Sequence, residues 1–224
     1  MKIAIVESLT QPADSQLRRP YIYEDITHDD SVEMIIEKVH SRNMQILSLT
    51  RRMLNISEVC RAVDIIENGE SLIFHCKGSS AIAAEEGVIR FSRAGKKCLL
   101  FRDESLQLIT ASAASPRDVA IGISNSGKSV SVVKAMTLAR KNGVRTIGIT
   151  AFENSPLSKN TDVVLYTPTK QSDREDGFGW EATSSKTAQI LVLDILYACY
   201  AARQYESTRL HMKKSYEAIR FTHH

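Results

Sequence analysis

The sequence predicts an α/β protein, a three-layer αβα sandwich built on a five-stranded parallel sheet. Five short apolar runs without alternating polar residues are typical of parallel strands that are covered on both faces. Segments with apolar residues at helical spacing separate the runs and supply right-handed crossovers. In the strand order 2-1-3-4-5, a ligand crevice is expected outside the carboxyl ends of the first and third strands. The expected strand centres are Ile73, Leu99, Ile121, Ile147 and Val164.

The composition is that of an ordinary globular protein. The 224 residues are 43% hydrophobic and 25% charged, and the net charge of +3 is too small to indicate a nucleic-acid surface by itself. No stretch is long and apolar enough to cross a membrane, so we expect a cytoplasmic protein with no membrane partner. The four cysteines show no metal-binding spacing, and neither a metal nor a cofactor is expected. Three of them lie in apolar runs and are expected to be buried thiols: Cys76, Cys98 and Cys199.

The N-terminal third reads as a linker followed by two helices. Residues 1–20 are expected to be a remnant and linker, because they are polar toward Pro20. Residues 21–70 carry two amphipathic helices that are expected to pack on the sheet domain. The first starts at Asp30 or Ser31, and Ser57 is expected to cap the second.

The first strand leads into a short polar turn. The strand Leu72–Cys76 is followed by Lys77, Gly78, Ser79 and Ser80, and then by a helix that ends near Gly95. Lys77 has two open interpretations, a charge beside a phosphate or a side chain in solvent. After the second strand, a helix over 104–112 is expected to turn Leu106, Ile109 and Ala113 inward.

The central segment 118–150 is predicted to be one βαβ unit, a strand, a short polar turn, a helix and a second strand. Its turn carries the residues that indicate binding, namely Ser124, Asn125, Ser126, Gly127 and Ser129. Serine hydroxyls donate and accept hydrogen bonds, and Gly127 lets the backbone approach a ligand closely. A helix begins there, so its free N–H groups and dipole favour an anion such as phosphate. The alternative is that the serines only cap the helix.

The last third supplies the remaining elements. Pro156 after Ser155 indicates a helix start, and a fifth strand follows around Val164. The polar segment 167–180 is expected to be a loop near the site. A long apolar helix is expected from Glu181 to Glu206, and residues 207–224 form a basic tail.

The pattern S-x-S-G-x-S between a strand and a helix resembles the SIS, or sugar isomerase, domain. Two later segments, 154–157 and 161–165, resemble that family's "SPL…AD.VL" motif. The resemblance runs from about Ser31 to about Ala202, and it is strongest to the sugar-phosphate sensor of RpiR-type transcriptional regulators. It implies the SIS fold, with a five-stranded parallel sheet in flavodoxin-like order plus N-terminal helices, over residues 71–206.

The resemblance also implies a function and a set of site residues. The expected ligand is a phosphorylated sugar, and the expected assembly is a homodimer or tetramer. DNA would be bound only through a helix-turn-helix domain that this chain does not contain. The family's G-x-G-x-S motif has Cys76 here in place of its first Gly, so the ligand is less certain than the fold. The residues implied to bind the ligand are Gly78, Ser79, Ser80, Ser124, Asn125, Ser126, Gly127, Ser129, Ser184 and Ser185.

An enzyme is the competing hypothesis, since the same family includes aldose–ketose phosphate isomerases. Isomerisation moves a proton between adjacent carbons and needs a general base beside the opened sugar. Glu181 is the candidate base nearest the expected crevice, ahead of Glu85, Glu86 and His75. A nucleotide-binding protein is a weak third hypothesis, because no acidic residue follows the first strand at ribose-binding distance.

Overall fold

The computed structural model describes residues 26–168 and 184–220. Strands and helices alternate over most of this length. In chain order they are α1 (Val32–Met53), α2 (Ile56–Asn68), β1 (Ser71–Cys76), α3 (Ser80–Arg93), β2 (Lys97–Leu100), α4 (Glu104–Ala113), β3 (Asp118–Ile123), α5 (Val130–Lys141), β4 (Arg145–Thr150), α6 (Pro156–Lys159), β5 (Val163–Tyr166), α7 (Ser184–Arg203) and α8 (Tyr205–Ile219).

The five strands form one parallel sheet in the order β2-β1-β3-β4-β5. The predicted strand centres and the predicted order are therefore confirmed. β1 and β3 lie side by side in the middle of the sheet, although α3, β2 and α4 separate them in the chain. Every residue of β3 after Asp118 is buried, as expected for a strand covered on both faces.

Helices cover both faces of the sheet, which confirms the three layers. One core joins the strands to α2, α3 and α7 through side chains such as Phe74, Phe91 and Leu193. The opposite core joins Ile73 and Ala120 to α5 and α6, and α4 packs beside α5. α1 packs outside, on α7. Among the described residues, no helix is both long enough and apolar enough to cross a membrane.

The helix starts follow the capping chemistry of the sequence, with one correction. Ser31 caps α1 by accepting a hydrogen bond from the Met34 N–H, as expected. The prediction that Ser57 caps α2 was wrong. Asn55 is the cap, because its side-chain oxygen accepts from the Ser57 N–H at 2.9 Å.

The orientation predicted for α4 was also wrong. Leu106, Ile109 and Ala113 are exposed, while Gln107 and Ala111 are the buried residues of this helix. Gln107 turns inward because its amide bonds both backbone groups of Cys76. Its Oε1 accepts from the Cys76 N–H at 3.2 Å, and its Nε2 donates to the Cys76 carbonyl at 2.8 Å.

The single helix predicted at the C-terminal end is two helices. α7 ends at Arg203, and α8 begins at Tyr205. The break lies where Arg203 and Gln204 reach α2, the first pairing with Asp64 and the second bonding Glu67. The part of the prediction that concerns Glu181 lies outside the described residues.

The four cysteines are free thiols in three environments. Cys76 is buried, and burial raises the pKa of its thiol to about 11. Cys98 and Cys199 are only partly buried, which corrects the expectation of full burial, and Cys60 is exposed.

His75 is a polar side chain inside the sheet. It is fully buried on β1, and neither ring nitrogen has a hydrogen-bond partner among the described residues. Burial lowers its pKa from 6.5 to about 4. The unfolded chain therefore binds a proton that the folded protein excludes, and His75 favours unfolding increasingly as the pH falls through this interval.

We expect His75→Leu to flatten the loss of stability between pH 6.5 and pH 4. The free energy of unfolding of the wild type should fall relative to the variant by up to about 3 kcal/mol across this range. Urea denaturation at half-unit pH steps measures the difference. His40→Leu, on the exposed side of α1, is the control for removing a histidine. Parallel pH profiles of wild type and His75→Leu would contradict the assignment.

Candidate functional site

The carboxyl ends of β1 and β3 lie next to each other at one edge of the sheet. The two strands pair in parallel register from Ser71 and Asp118 to Cys76 and Ile123. The turns that follow them therefore leave the sheet one strand apart. α3 and α5 then pack on opposite faces, so a crevice opens between the two helix starts.

The turn between β3 and α5 is tight and rich in hydroxyls. The Gly127 N–H donates to the Ser124 carbonyl at 3.0 Å, and Gly127 has a φ of 63°, which favours glycine. The hydroxyls of Ser124 and Ser129 share a hydrogen bond at 3.1 Å across the turn. The exposed Ser126 hydroxyl accepts from the Lys128 N–H at 3.2 Å.

The segment that follows β4 supports this turn through hydrogen bonds and packing. The Ala151 N–H donates to the Asn125 carbonyl at 3.0 Å, and the Leu157 N–H donates to the Gly127 carbonyl at 3.0 Å. The missing side chain of Gly127 leaves room that Ser155 and Thr150 fill. Ser155 thus supports the turn as well as capping α6. The sequence indicated only a helix start after Ser155, because nothing local predicts a contact with a turn so far away in the chain.

The helices beside the crevice start differently from most of the others. The cap residues of α1, α2, α4 and α6 each accept a backbone hydrogen bond through their side chains. The cap residues of α3 and α5, Ser79 and Ser129, make no such bond, and neither does Gln204 before α8. The first turns of α3 and α5 therefore receive no hydrogen bond from a cap side chain, although in α3 the Ala81 and Ile82 N–H groups donate to the Gly78 and Ser79 carbonyls at 3.2 and 3.1 Å. This geometry weighs against the hypothesis that the serines are only caps.

The end of β1 is fixed by the Gln107 amide described above. Pairing of β1 with β2 stops at Phe74, two residues before Cys76. Gln107 supplies an acceptor and a donor there, as a neighbouring strand would. The result is a rigid entry to the turn that carries Gly78, whose φ of 61° matches that of Gly127.

Lys77, whose role the sequence left open, forms an ion pair with Glu104 at 2.6 Å. The Lys77 side chain is 59% exposed, and the Glu104 side chain is 50% exposed. The pair lies at the start of α4 and is screened by solvent.

The model of the SIS domain family matches residues 64–199. The chain belongs to the SIS domain family. Its curated relatives include an HTH-type transcriptional regulator of Caldanaerobacter subterraneus, which is 31% identical over 87% of this chain and 67% of its own length. The regulator RpiR of Escherichia coli is 25% identical over 88% of this chain and 65% of its own length. The chain thus spans about two thirds of these relatives.

Solved structures show the same fold. The Vibrio vulnificus NanR protein, complexed with ManNAc-6P, superimposes with a TM-score of 0.75 at 24% identity, over 86% of this chain and 69% of its own. The sugar isomerase domain of an RpiR transcription factor from Sphaerobacter thermophilus gives 0.72 at 23% identity, over 81% and 97%. These similarities support the fold alone. They agree with the resemblance of the S-x-S-G-x-S pattern to the SIS domain.

The departure of this SIS domain from the G-x-G-x-S motif has a structural explanation. Cys76 is the last residue of β1, and its side chain lies in the core shared with α3, together with Ala81 and Ala84. A side chain at this position therefore points away from the crevice.

The candidate general bases of the SIS domain are not equivalent. Glu85 pairs with Arg102, and Glu86 pairs with Arg90 at 2.6 Å. His75 is buried inside the sheet domain. Glu181 lies outside the described residues. Ser184 begins α7, and Ser185 is buried in its first turn. The described residues contain no group of three His, Cys, Asp or Glu side chains that could hold a metal ion.

We expect Gly127→Ala to destabilise the SIS domain more than Gly143→Ala. Both glycines have a positive φ, 63° and 78°, so each alanine costs about 1–2 kcal/mol of backbone strain. At Gly127 the new methyl group also meets Ser155 and Thr150, whereas at Gly143 it meets only the ring of Pro116 at 3.2 Å. Urea denaturation of both variants measures the difference. Equal losses of stability would show that the turn is not held by the segment after β4.

Proposed function

We propose that the crevice binds the phosphate of a phosphorylated sugar, and that the chain is the ligand-sensing part of an RpiR-type transcriptional regulator. The observation that carries the proposal is the convergence of two helix starts without side-chain caps on the edge shared by β1 and β3. The proposed contacts are made by Gly78, Ser79, Ser80, Ser124, Asn125, Ser126, Gly127 and Ser129, with Ser184 and Ser185 closing over the sugar.

The physical basis is the match between a dianion and two helix N-termini. Free N–H groups and the helix dipole favour negative charge, and the effect is confined to the first turn. A hydrogen bond to a charged group contributes about 1.5–3 kcal/mol, roughly twice that of a neutral pair. The turn is held rigid by backbone hydrogen bonds from Ala151 and Leu157, so little order must be imposed when the ligand binds.

The comparisons support this proposal without identifying the ligand. The curated relatives are named as transcriptional regulators, and NanR was solved with ManNAc-6P bound. In this proposal, a helix-turn-helix domain outside the matched region binds the DNA. Such a regulator acts in the cytoplasm.

The isomerase hypothesis has less support from the described residues. Glu85 and Glu86 are paired with arginines, and His75 is inaccessible. The hypothesis therefore depends on Glu181, which the structure does not describe. Proton exchange between a bound sugar phosphate and deuterated water would favour it.

The phosphate site predicts a loss of affinity in Ser126→Ala. The variant should bind a sugar phosphate roughly ten- to hundredfold more weakly, because one hydrogen bond to the dianion is lost. Its stability should change little, since Ser126 is exposed and its hydroxyl accepts a long hydrogen bond, at 3.2 Å, from the Lys128 N–H. Titration calorimetry with hexose, pentose and amino-sugar phosphates, and with the corresponding free sugars, measures both effects.

Ser112→Ala is the matched control, since the hydroxyl of this exposed serine on α4 donates within its own helix, to the Ile109 carbonyl, and the backbone carbonyl that accepts from Asn142 is kept in the variant. It should bind as the wild type does. Equal affinities for phosphorylated and free sugars, or unchanged binding in Ser126→Ala, would mean that these serines do not hold a phosphate.

We also propose that the protein associates through its N-terminal helices and α7. α1 carries large apolar side chains that are more than half exposed, with Val32 at 68% and Ile36 at 60%. Such a surface is typical of an interface between subunits. A dimer would also give a regulator two equivalent sensing sites.

Ile36→Glu should therefore lower the molecular mass that light scattering measures at micromolar concentration, from that of a dimer or tetramer toward that of a monomer. A buried charge at an interface costs several kcal/mol of association free energy. Ile109→Glu is the matched control, because Ile109 on α4 is equally exposed, at 60%, but lies on the other face of the sheet. A monomeric wild type would contradict the proposal.

A further inference from the structure

Two fully buried polar side chains toward the carboxyl edge of the sheet have no hydrogen-bond partner among the described residues. Gln189 on α7 is fully buried, and both its Oε1 and its Nε2 are unpaired among the described residues. Thr167, just after β5, is also fully buried, and its hydroxyl has no partner within the described part of the chain. Leaving a polar group buried and unpaired costs about 1–3 kcal/mol, so two such residues in one region require an explanation.

α7 lies parallel to α3, and three contacts fix their alignment. The Leu193 side chain approaches the open side of Gly87, the Arg90 Nε lies 2.9 Å from Asp194, and the rings of Phe91 and Tyr197 meet at 5.7 Å. The contacting residues advance together along both helices. Both helices therefore run away from the carboxyl edge of the sheet.

This alignment puts Gln189 one helical turn below the crevice. One turn before Leu193, Gln189 is level with Ala83 of α3. Another turn earlier, Ser185 is level with Ser79, at the start of α3. Gln189 also shares the sheet-facing side of α7 with Val192 and Leu196, both of which belong to the core.

Thr167 reaches the same side of the sheet. Val163 and Leu165 of β5 belong to the core that contains α7, and alternation along the strand direction puts Thr167 on that side too. Thr167 lies at the carboxyl end of β5, where its N–H donates to the Thr150 carbonyl at 2.9 Å. Gln189 and Thr167 thus lie on the same face of the sheet and toward the same edge, with β4 between the strand of Thr167 and β3.

We propose that Gln189 and Thr167 form a subsite that binds the uncharged groups of the sugar, while the turn after β3 holds the phosphate. The inference rests on the function proposed above. An amide and a hydroxyl each donate and accept hydrogen bonds, which suits hydroxyl or carbonyl groups. A subsite for a second phosphate would instead contain a positively charged side chain. The subsite therefore selects monophosphates with a neutral, hydroxyl-bearing end.

Occupation of this subsite requires movement of the start of α7, because both side chains are inaccessible in the present conformation. That part of α7 is bonded to α1, through the Thr187 hydroxyl and Asn43 at 3.0 Å. A ligand that separates the first turns of α7 and α3 thereby also displaces α1. The sugar end of the ligand, rather than its phosphate, is then what the rest of the molecule senses.

Gln189→Leu tests the subsite, because ligand-free stability and affinity should change in opposite directions. Removing an unpaired buried amide should leave the melting temperature of the free protein unchanged or raise it. The affinity for the tightest sugar phosphate among hexose, pentose and amino-sugar phosphates should fall about tenfold. Inorganic phosphate should bind as to the wild type. Thermal shift and titration calorimetry provide the readouts.

Thr208→Val is the matched control, since Thr208 on α8 also has a buried, unpaired hydroxyl but lies far along the chain from the crevice. It should change stability in the same direction and leave sugar-phosphate affinity unchanged. Gln189→Met is a second variant of similar volume. Failure of both Gln189 variants to fold would overturn the inference, because it would show that the amide has a structural partner.

Gln189→Leu could bind the sugar phosphate as tightly as the wild type while Ser126→Ala binds it more weakly. That result would overturn the subsite but would not contradict the proposed function. Equal losses for sugar phosphate and inorganic phosphate would also overturn it, as a general distortion of the site. If no phosphorylated sugar stabilises the wild type, the proposed function fails and the subsite fails with it.

Discussion

The parallel pairing of β1 with β3 is the constraint on which the site depends. The two strands end in register at Cys76 and Ile123, and each is followed by a turn with a left-handed glycine, Gly78 or Gly127. A helix starts two or three residues after each glycine. Because the helices then pass to opposite faces of the sheet, their N-termini face one another across the crevice. The same local device is used twice, and the sheet alone brings its two copies together.

The turn after β3 also depends on its neighbours on the other side. Backbone hydrogen bonds from Ala151 and Leu157 end on its carbonyls, and Ser155 fills the space beside Gly127. At the turn after β1, Gln107 supplies the bonds that β2 is too short to make. Both turns are therefore fixed before any ligand arrives. Their N–H groups can point at an anion without first being ordered, which is the main advantage of a preorganised site.

The sequence predicted those features that depend on local pattern. Buried parallel strands are continuous apolar runs, so all five strands and their order were found, and the motif S-x-S-G-x-S led to the family. The orientation of α4 was missed because the apolar pattern favours Leu106 and Ile109, whereas the buried position belongs to Gln107. A polar residue wins there because two backbone groups of Cys76, far away in the chain, need partners. Likewise, no periodicity marks the break after Arg203, where the contacts that accompany it are made with α2.

The unpaired polar atoms of the described residues are not scattered evenly. His75 is the penultimate residue of β1, Ser131 lies in the first turn of α5, Thr167 follows β5, and Gln189 lies in the second turn of α7. All four are near the carboxyl edge of the sheet, on both of its faces, whereas the unpaired hydroxyl of Thr208 lies elsewhere, on α8. Each such atom lowers the free energy of unfolding, and a core built for stability alone would have apolar residues there. Four such residues at one edge are expected if that edge is shaped for a polar ligand, because a bound ligand or water can supply the hydrogen bonds that the described residues leave unmade.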